Sequence, residues 1–212
     1  MINNARELLV EIARCPNFCA AVTDKTHPCN KIATNKNQPT ERHLPEPWCG
    51  DIENAEVLFI SSNPSIDPSE NFPIASWNDD DIVDFFEKRF YDPNYKNRFF
   101  TVVLKIANWI LNNINTKPTK EENLKKCIAI TEVVHCKSKG EEGVADACNT
   151  CVEKWLRKIL NFYNGQYVVV LGKKAKTLIA PYITCLNGKT VIYLDHPSYP
   201  VSDAKRIEEI RK

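Results

Sequence analysis

Glu56-Val57-Leu58-Phe59-Ile60-Ser61-Ser62-Asn63-Pro64-Ser65 is a short apolar run followed by a polar turn, and this stretch decides the fold. The run is rich in β-branched and aromatic side chains, which is typical of a strand buried on both faces in a parallel sheet. Proline disfavours helical geometry in the residue before it, so Asn63 should lie in an extended turn beyond the strand. Ligands bind at that edge of open α/β sheets. The alternative is an ordinary turn, because Asn and Pro are common in turns.

Three further apolar runs predict three more strands, at residues 127–134, 167–171 and 190–194. Helical periodicity occupies the intervals between them, so the predicted fold class is α/β. The expected architecture is a three-layer α/β/α sandwich with a central four-stranded parallel sheet. Parallel strands end on one edge of a sheet, so we expect Asn63, residues 132–136 and residues 196–198 to meet there.

Proline and capping residues predict the bounds of other elements. Pro16 is expected to end the first helix, and the polar, proline-dotted residues 23–50 are expected to form a long loop. Asn78 or Asp79 should cap a helix, and Asp146 should cap another.

The composition is that of a soluble globular protein. The 212 residues are 43% hydrophobic and 26% charged, with a net charge of +1. We expect a single domain over residues 1–212, with an N-terminal helix and cysteine-containing loop in residues 1–50. The near-neutral charge means that a DNA-binding face must be local. With no signal-peptide pattern and no long apolar run, the expectation is a cytoplasmic monomer without membrane contact.

Nine cysteines are an unusual feature for such a chain. Disulfides are rare in the cytosol, so a bound metal or cluster becomes the leading explanation, with some spare buried thiols.

Four motifs, each beside a predicted strand and in a fixed order, carry a family resemblance. Three of them are Ser-Asn-Pro-Ser at 62–65, Thr-Glu-Val-Val-His-Cys at 131–136 and His-Pro-Ser-Tyr at 196–199. The other spans residues 151–172, where a cysteine is followed by a predicted helix and by a predicted strand that ends in Leu-Gly. Together they resemble the uracil-DNA glycosylase superfamily, and in part its iron–sulfur branch. The resemblance covers most of residues 56–200.

The resemblance implies roles for the residues on the polar edge. Asn63 would position the attacking water and His196 would hydrogen-bond O2 of the departing base, as the two catalytic residues. Ser198 would hold a phosphate beside the lesion, and Pro200 and Val201 would form an intercalating wedge. Alternatively, His196 is a solvent-facing residue of a turn, and Pro200 and Val201 only lead into the last helix.

The base pocket departs from the family pattern at two places. Family members read the base with an asparagine where this chain has Glu132, and they stack it under the aromatic residue of a Pro-Phe pair. This chain has Pro73-Ile74, with Phe72 just before. The predicted base-binding residues are therefore Glu132, Phe72 and Ile74. An ionised Glu132 would favour an amino-bearing base over uracil, while a protonated one would donate to O4 and restore uracil. Alternatively, Glu132 pairs with Lys137 or Lys139.

Lysines after the second and third strands predict a local phosphate-binding face. Lys137, Lys139 and Lys173 are assigned to DNA binding. The alternative is a solvated helix start.

Four cysteines stand where the iron–sulfur branch has its ligands. Cys15, Cys19, Cys136 and Cys151 would hold a [4Fe–4S] cluster, with zinc as the alternative metal. The first pair has three residues between its cysteines where the branch has two. Buried, unligated thiols are the other alternative, and substitute ligands could come from Cys148, Cys29 and Cys49.

The predicted function is a monofunctional DNA-repair glycosylase acting on DNA with a damaged or deaminated base. A cluster-bearing nucleic-acid-binding protein without glycosylase activity is the alternative. A third possibility is a zinc-stabilised protein acting on free nucleotides.

Overall fold

The computed structural model describes residues 4–67, 70–89, 98–113 and 121–210, apart from a few side chains in the first turn of one helix and in the last helix. One sheet has five strands in the order β1-β3-β2-β4-β5. The strands are β1 Trp48–Gly50, β2 Val57–Ser61, β3 Ile128–Glu132, β4 Tyr167–Leu171 and β5 Thr190–Leu194. The helices are α1 Ala5–Ala13, α2 Pro16–Thr23, α3 Asn30–Ala33, α4 Asp79–Lys88, α5 Arg98–Asn113, α6 Glu121–Lys126, α7 Val144–Cys151, α8 Arg157–Phe162, α9 Gly172–Ile179 and α10 Asp203–Ile210. A π-helical turn, Val152–Leu156, joins α7 to α8, and a 3₁₀ segment, Ala180–Leu186, follows α9.

The four predicted strands are confirmed, and they are mutually parallel. The strand missed by the sequence is β1, which pairs antiparallel with β3 through Trp48 and Thr131. It has only three residues, in a stretch without apolar periodicity. Strands β2 and β3 are buried along their whole length, because helices cover both faces of the sheet.

The register of the sheet places the polar edge. Ser61 of β2 is level with Glu132 of β3. Beyond the strands, the N–H groups of Val133 and Val134 donate to the carbonyls of Ser61 and Ser62 at 2.9 and 3.0 Å. The segments that follow β2 and β3 therefore stay paired as they leave the sheet, and these bonds fix the position of the Asn63 turn.

Helix capping accounts for part of the remaining fold. Asn78 caps α4, as predicted, by accepting the N–H of Asp81 at 2.8 Å. The predicted cap at Asp146 is wrong, because α7 already begins at Val144. Gly143 precedes it at φ +78, and a Cβ there would lie 2.6 Å from the backbone N of Ile32. Glycine is needed at that position for both reasons.

The N-terminal region is more regular than predicted. Pro16 follows the end of α1 and also occupies the first turn of α2, where its missing N–H costs nothing. The expected loop at residues 23–50 contains α3 and β1. Apolar side chains of α1, such as Leu8 and Ile12, join the same buried cluster as the strands. In the described part of the chain, no helix is long and apolar enough to cross a bilayer.

Candidate active site

A cavity of about 500 Å³ opens at the carboxyl edge of the sheet. Its wall includes the ends of β2 and β3 and the turn after β5, through Ser61, Asn63, Glu132 and His196. The sequence placed Asn63, Glu132 and His196 on one edge, and the structure brings them, together with Ser61, to one cavity. Their chemical roles stay predictions.

Asn63 is held through the nitrogen of its amide. Its Nδ2 donates to the carbonyl of Pro64 at 2.9 Å and to Oγ of Ser138 at 3.0 Å. The carbonyl of Cys136 lies 3.5 Å away on the same side. Because carbonyl oxygens only accept, the N–H₂ group must face them. The acceptor Oδ1 has no hydrogen bond to a described residue and is open to a ligand.

The His196 ring is neutral and has a defined tautomer. The N–H of Ser198 donates to its Nδ1 at 3.2 Å, so the ring proton lies on Nε2. Burial lowers the pKa of His196, and the nearby Arg206 acts in the same direction while Glu141 opposes it. The ring is therefore a hydrogen-bond donor at neutral pH. Gly172, at φ +90, permits this packing, since a Cβ there would lie 3.1 Å from Cβ of His196.

Arg206 of α10 fixes the loop that carries His196, and the sequence analysis did not identify it. This buried guanidinium donates through Nη2 to the carbonyl of Tyr199 at 2.9 Å. Longer contacts of 3.4 and 3.5 Å join Nη2 to the carbonyls of His196 and Pro197. A basic residue in the first turn of the helix after His-Pro-Ser-Tyr was the available signal.

The tip of that loop is open to solvent. Ser198 and Pro200 are exposed, Val201 is half-buried, and Tyr199 is 62% exposed. The loop thus presents a hydroxyl and an apolar tip beside the cavity.

Glu132 is buried without an ion pair among the described residues. The Ser61 hydroxyl donates to its Oε2. The neighbouring Glu46 pairs with Arg89 at 2.7 Å. Burial and the charge of Glu46 raise the pKa of Glu132 to about 8, although the Ser61 hydrogen bond and the charge of Arg89 lower it. At pH 7 this carboxyl is mainly protonated.

Lys137 does not lie where the sequence analysis placed it. It is 2% exposed and pairs with Glu70 at 2.6 Å, while its Nζ lies 3.4 Å from the centroid of the Phe72 ring. It is therefore neither a surface phosphate ligand nor the partner of Glu132. Lys139 and Lys173 are exposed, and Lys173 lies in the first turn of α9.

The predicted stacking residues lie away from the cavity wall. Phe72 is buried against His43, with ring centroids 5.0 Å apart, and Ile74 pairs with the backbone of His43. The aromatic rings that line the cavity among the described residues are Phe99 and Phe100 of α5. Phe99 also lies 5.5 Å from the ring of His196, centroid to centroid. The sequence analysis did not assign Phe99 to the site.

Three of the four predicted cluster ligands are buried near one another. The pKa of Cys136 is raised by burial and by the thiols of Cys151, Cys15, Cys29 and Cys19, in that order. Cys29 is buried and has its pKa raised to about 11 by burial and by Cys15, whereas Cys19 is exposed.

The thiols are free, and they are not arranged around a single ion. All nine cysteines are unpaired. Within the described residues, no three His, Cys, Asp or Glu side chains converge as ligands of one metal ion. The indole N–H of Trp155 donates to Sγ of Cys15 at 3.2 Å. Cys49 lies in the cavity wall, with its Sγ 3.8 Å from a carboxyl oxygen of Glu46. It therefore belongs to the cavity and not to the group of thiols.

A family model described as the uracil DNA glycosylase superfamily matches residues 47–211, more than half of the chain. The match spans all five strands and the turns that carry Asn63 and His196. It leaves out the N-terminal residues before 47, which include α1, α2, α3 and the three thiols of Cys15, Cys19 and Cys29. No curated protein matches the chain.

Proposed function

Because the chain belongs to the uracil DNA glycosylase superfamily, we propose that it is a monofunctional DNA glycosylase. It would hydrolyse the N-glycosidic bond of a damaged or deaminated base flipped out of DNA. The observation that carries the proposal is the presence of an anchored Asn63 amide and a neutral His196 imidazole in one cavity.

Asn63 would position the attacking water. Its Oδ1 accepts one hydrogen of the water and directs a lone pair toward C1′ of the sugar. An amide is not a base at neutral pH, so the water stays neutral until the bond to the base has largely broken. The fixed dipole of the amide would also stabilise the oxocarbenium-like sugar.

His196 would act on the leaving base. Its Nε2–H donates to O2 of a pyrimidine while negative charge develops there. A neutral donor stabilises that charge without transferring its proton, and the Ser198 N–H keeps the ring in the required tautomer.

Water, and not a lysine, is the proposed nucleophile. Lys137 is the lysine among the described residues that line the cavity. Its ammonium is engaged by Glu70 and lies over Phe72. A Schiff base at Lys137 would require the ion pair with Glu70 to break, and Glu70 would lose that ammonium as a partner.

DNA would be held at the rim of the cavity. Ser198 is exposed beside His196 and can donate to a phosphate, and Pro200 and Val201 lie at the loop tip with the larger Tyr199. Lys139 and Lys173 supply exposed positive charge on the same edge.

The test is an excision assay on labelled single-stranded and duplex oligonucleotides. Each carries one uracil, hypoxanthine or modified cytosine, and abasic products are cleaved with alkali. We expect excision by the wild-type protein and much slower excision by Asn63→Ala. Asn78→Ala is the matched control, because it removes an exposed helix-cap amide outside the cavity wall. Lesion-specific binding without excision of any base would refute the proposal and favour a DNA-binding protein without glycosylase chemistry.

We also propose that the clustered thiols hold a [4Fe–4S] cluster. Cys15, Cys136 and Cys151 are buried together, and the fourth ligand is Cys19 or Cys29. A cuboidal cluster separates its thiolates more widely than a single ion does, which suits thiols that do not converge on one point. The indole N–H of Trp155 would stabilise the charge on the Cys15 sulfur. The cluster would supply no reacting group and would tie α2 to the sheet.

Iron and acid-labile sulfide in anaerobically purified protein test this assignment. Cys136→Ser should lose both, whereas Cys148→Ser should keep them, because the Cys148 thiol points to the carbonyl of Leu178 at 3.6 Å. Bound zinc without sulfide would establish the alternative metal and refute the cluster.

A further inference from the structure

Glu132 has one carboxyl oxygen fixed by the protein and one available to a ligand. Ser61, level with it on β2, donates its hydroxyl hydrogen to Oε2. Among the described residues Oε1 has no hydrogen bond, and Glu132 lines the cavity. A group fixed on one side and open on the other is suited to recognise the edge of a base.

The cations near Glu132 form ion pairs with other carboxylates. Arg89 pairs with Glu46 at 2.7 Å and with Glu70 at 2.6 Å, and Lys137 pairs with Glu70. The groups whose charges act on Glu132 are Glu46 and Arg89, and Cys49 lies on the β1 side. A second ionised carboxylate beside Glu46 would be buried without its own counter-ion, which is costly.

On the premise of the proposed glycosylase function, we propose that Glu132 reads the base as a carboxylic acid. Oε2 accepts from Ser61, so the acidic hydrogen lies on Oε1 and donates to an oxo group of the base. The substrate class is therefore bases with an oxo group at that edge, such as O4 of uracil or O6 of hypoxanthine. This reverses the preference that an ionised Glu132 would give for amino-bearing bases.

The proposal has a definite pH dependence. The donor exists only while Glu132 is protonated, and its pKa is raised to about 8. Recognition of an oxo base should be complete near pH 7 and about tenfold weaker at pH 9, because about a tenth of the carboxyl is then protonated. His196 has a lowered pKa and stays neutral over this range.

The experiment measures binding as well as excision. The probes are oligonucleotides with uracil on a 2′-fluoroarabino sugar, which resists hydrolysis, and matched probes with cytosine. Fluorescence anisotropy gives Kd from pH 6.5 to 9 for wild type, Glu132→Gln and Ser61→Ala. Single-turnover excision of ordinary uracil is followed over the same range.

We expect wild-type affinity for the uracil probe to fall by about tenfold between pH 7 and 9. Glu132→Gln keeps a neutral N–H donor, so its profile should be flat. Ser61→Ala removes a bond that favours the ionised form, so its fall should move to higher pH. The uracil-over-cytosine preference of the wild type should decline as pH rises.

Parallel profiles for wild type and Glu132→Gln would overturn the inference, since Lys137 or the base itself would then carry the pH dependence. A folded Glu132→Gln without uracil preference at pH 7 would also overturn it. Proton-dependent binding of uracil without excision would instead leave the inference standing and refute the proposed glycosylase function.

Discussion

Replacing Arg206 with methionine should reduce excision more than it reduces stability. The substitution keeps most of the apolar stem and removes the donors to the loop that carries His196. The one short contact is to the carbonyl of Tyr199 at 2.9 Å, and a hydrogen bond from a charged group contributes about 1.5–3 kcal/mol. For a chain of this length, a loss of about 2 kcal/mol lowers Tm by roughly 4–8 °C.

The catalytic effect should be larger, because His196 loses its fixed position. Its own carbonyl and that of Pro197 lie 3.4 and 3.5 Å from Nη2 of Arg206. A displacement of about 1 Å at a positioned group costs on the order of 100-fold in rate. We therefore expect a 10- to 100-fold lower single-turnover rate at saturating enzyme, and little change in DNA affinity.

Single-turnover excision, anisotropy and thermal unfolding separate the two effects. Ile159→Val is the matched control, since it costs about 0.5–1.5 kcal/mol in α8, outside the cavity wall. Arg206→Lys keeps one donor and should restore part of the rate. If Arg206→Met lowers Tm while the rate stays within twofold of the control, Arg206 supports the fold alone and the positioning argument is wrong.

Three further predictions test the candidate sites. Asn63→Ala should lower the single-turnover rate by roughly 10- to 1000-fold with DNA affinity nearly intact, the range of a lost positioning group; an unchanged rate removes Asn63 from the mechanism. Cys29→Ser should reduce iron and sulfide content more than Cys19→Ser does, because Cys29 is buried beside Cys15 and Cys19 is exposed; the reverse order makes Cys19 the fourth ligand. Lys139→Ala should weaken binding of any DNA and lower the slope of log K against log salt by about 1, whereas Lys137→Met should leave the slope unchanged; a changed slope for Lys137→Met would place that ammonium on phosphate.

The parallel sheet could be predicted because its signal is local. Strands β2, β3 and β4 are apolar runs buried almost entirely between the helices, whereas β5 is an apolar run that stays partly exposed. Pro or Gly follows β2, β4 and β5 within three residues. The same logic placed Asn63 and His196 on one edge. Strand β1 lacked such a signal, because its three residues form a strand only through pairing with β3.

The contents of the cavity were harder to predict, because they depend on contacts between distant segments. Lys137 looks like a surface cation in the sequence, whereas its burial depends on Glu70 and the ring of Phe72, which lie far from it along the chain. Phe99 has the spacing of a core residue, yet it lies at the cavity wall. The fold brings Lys137 and Phe99 to their contacts, and the periodicity of the sequence contains no information about contacts between distant segments.

The segment that follows β3 connects the cavity to the thiols. Glu132 faces the cavity. Three residues later, the carbonyl of His135 accepts the N–H of Glu46 at 2.8 Å and so holds the backbone of Glu46. Cys136 comes next and lies among the thiols, while Lys137 returns to the cavity wall. Nearby residues of one short segment thus serve two sites. A cluster bound at Cys136 would therefore fix the floor of the base pocket without touching a reacting atom, and its loss should weaken base recognition before it alters the chemistry at C1′.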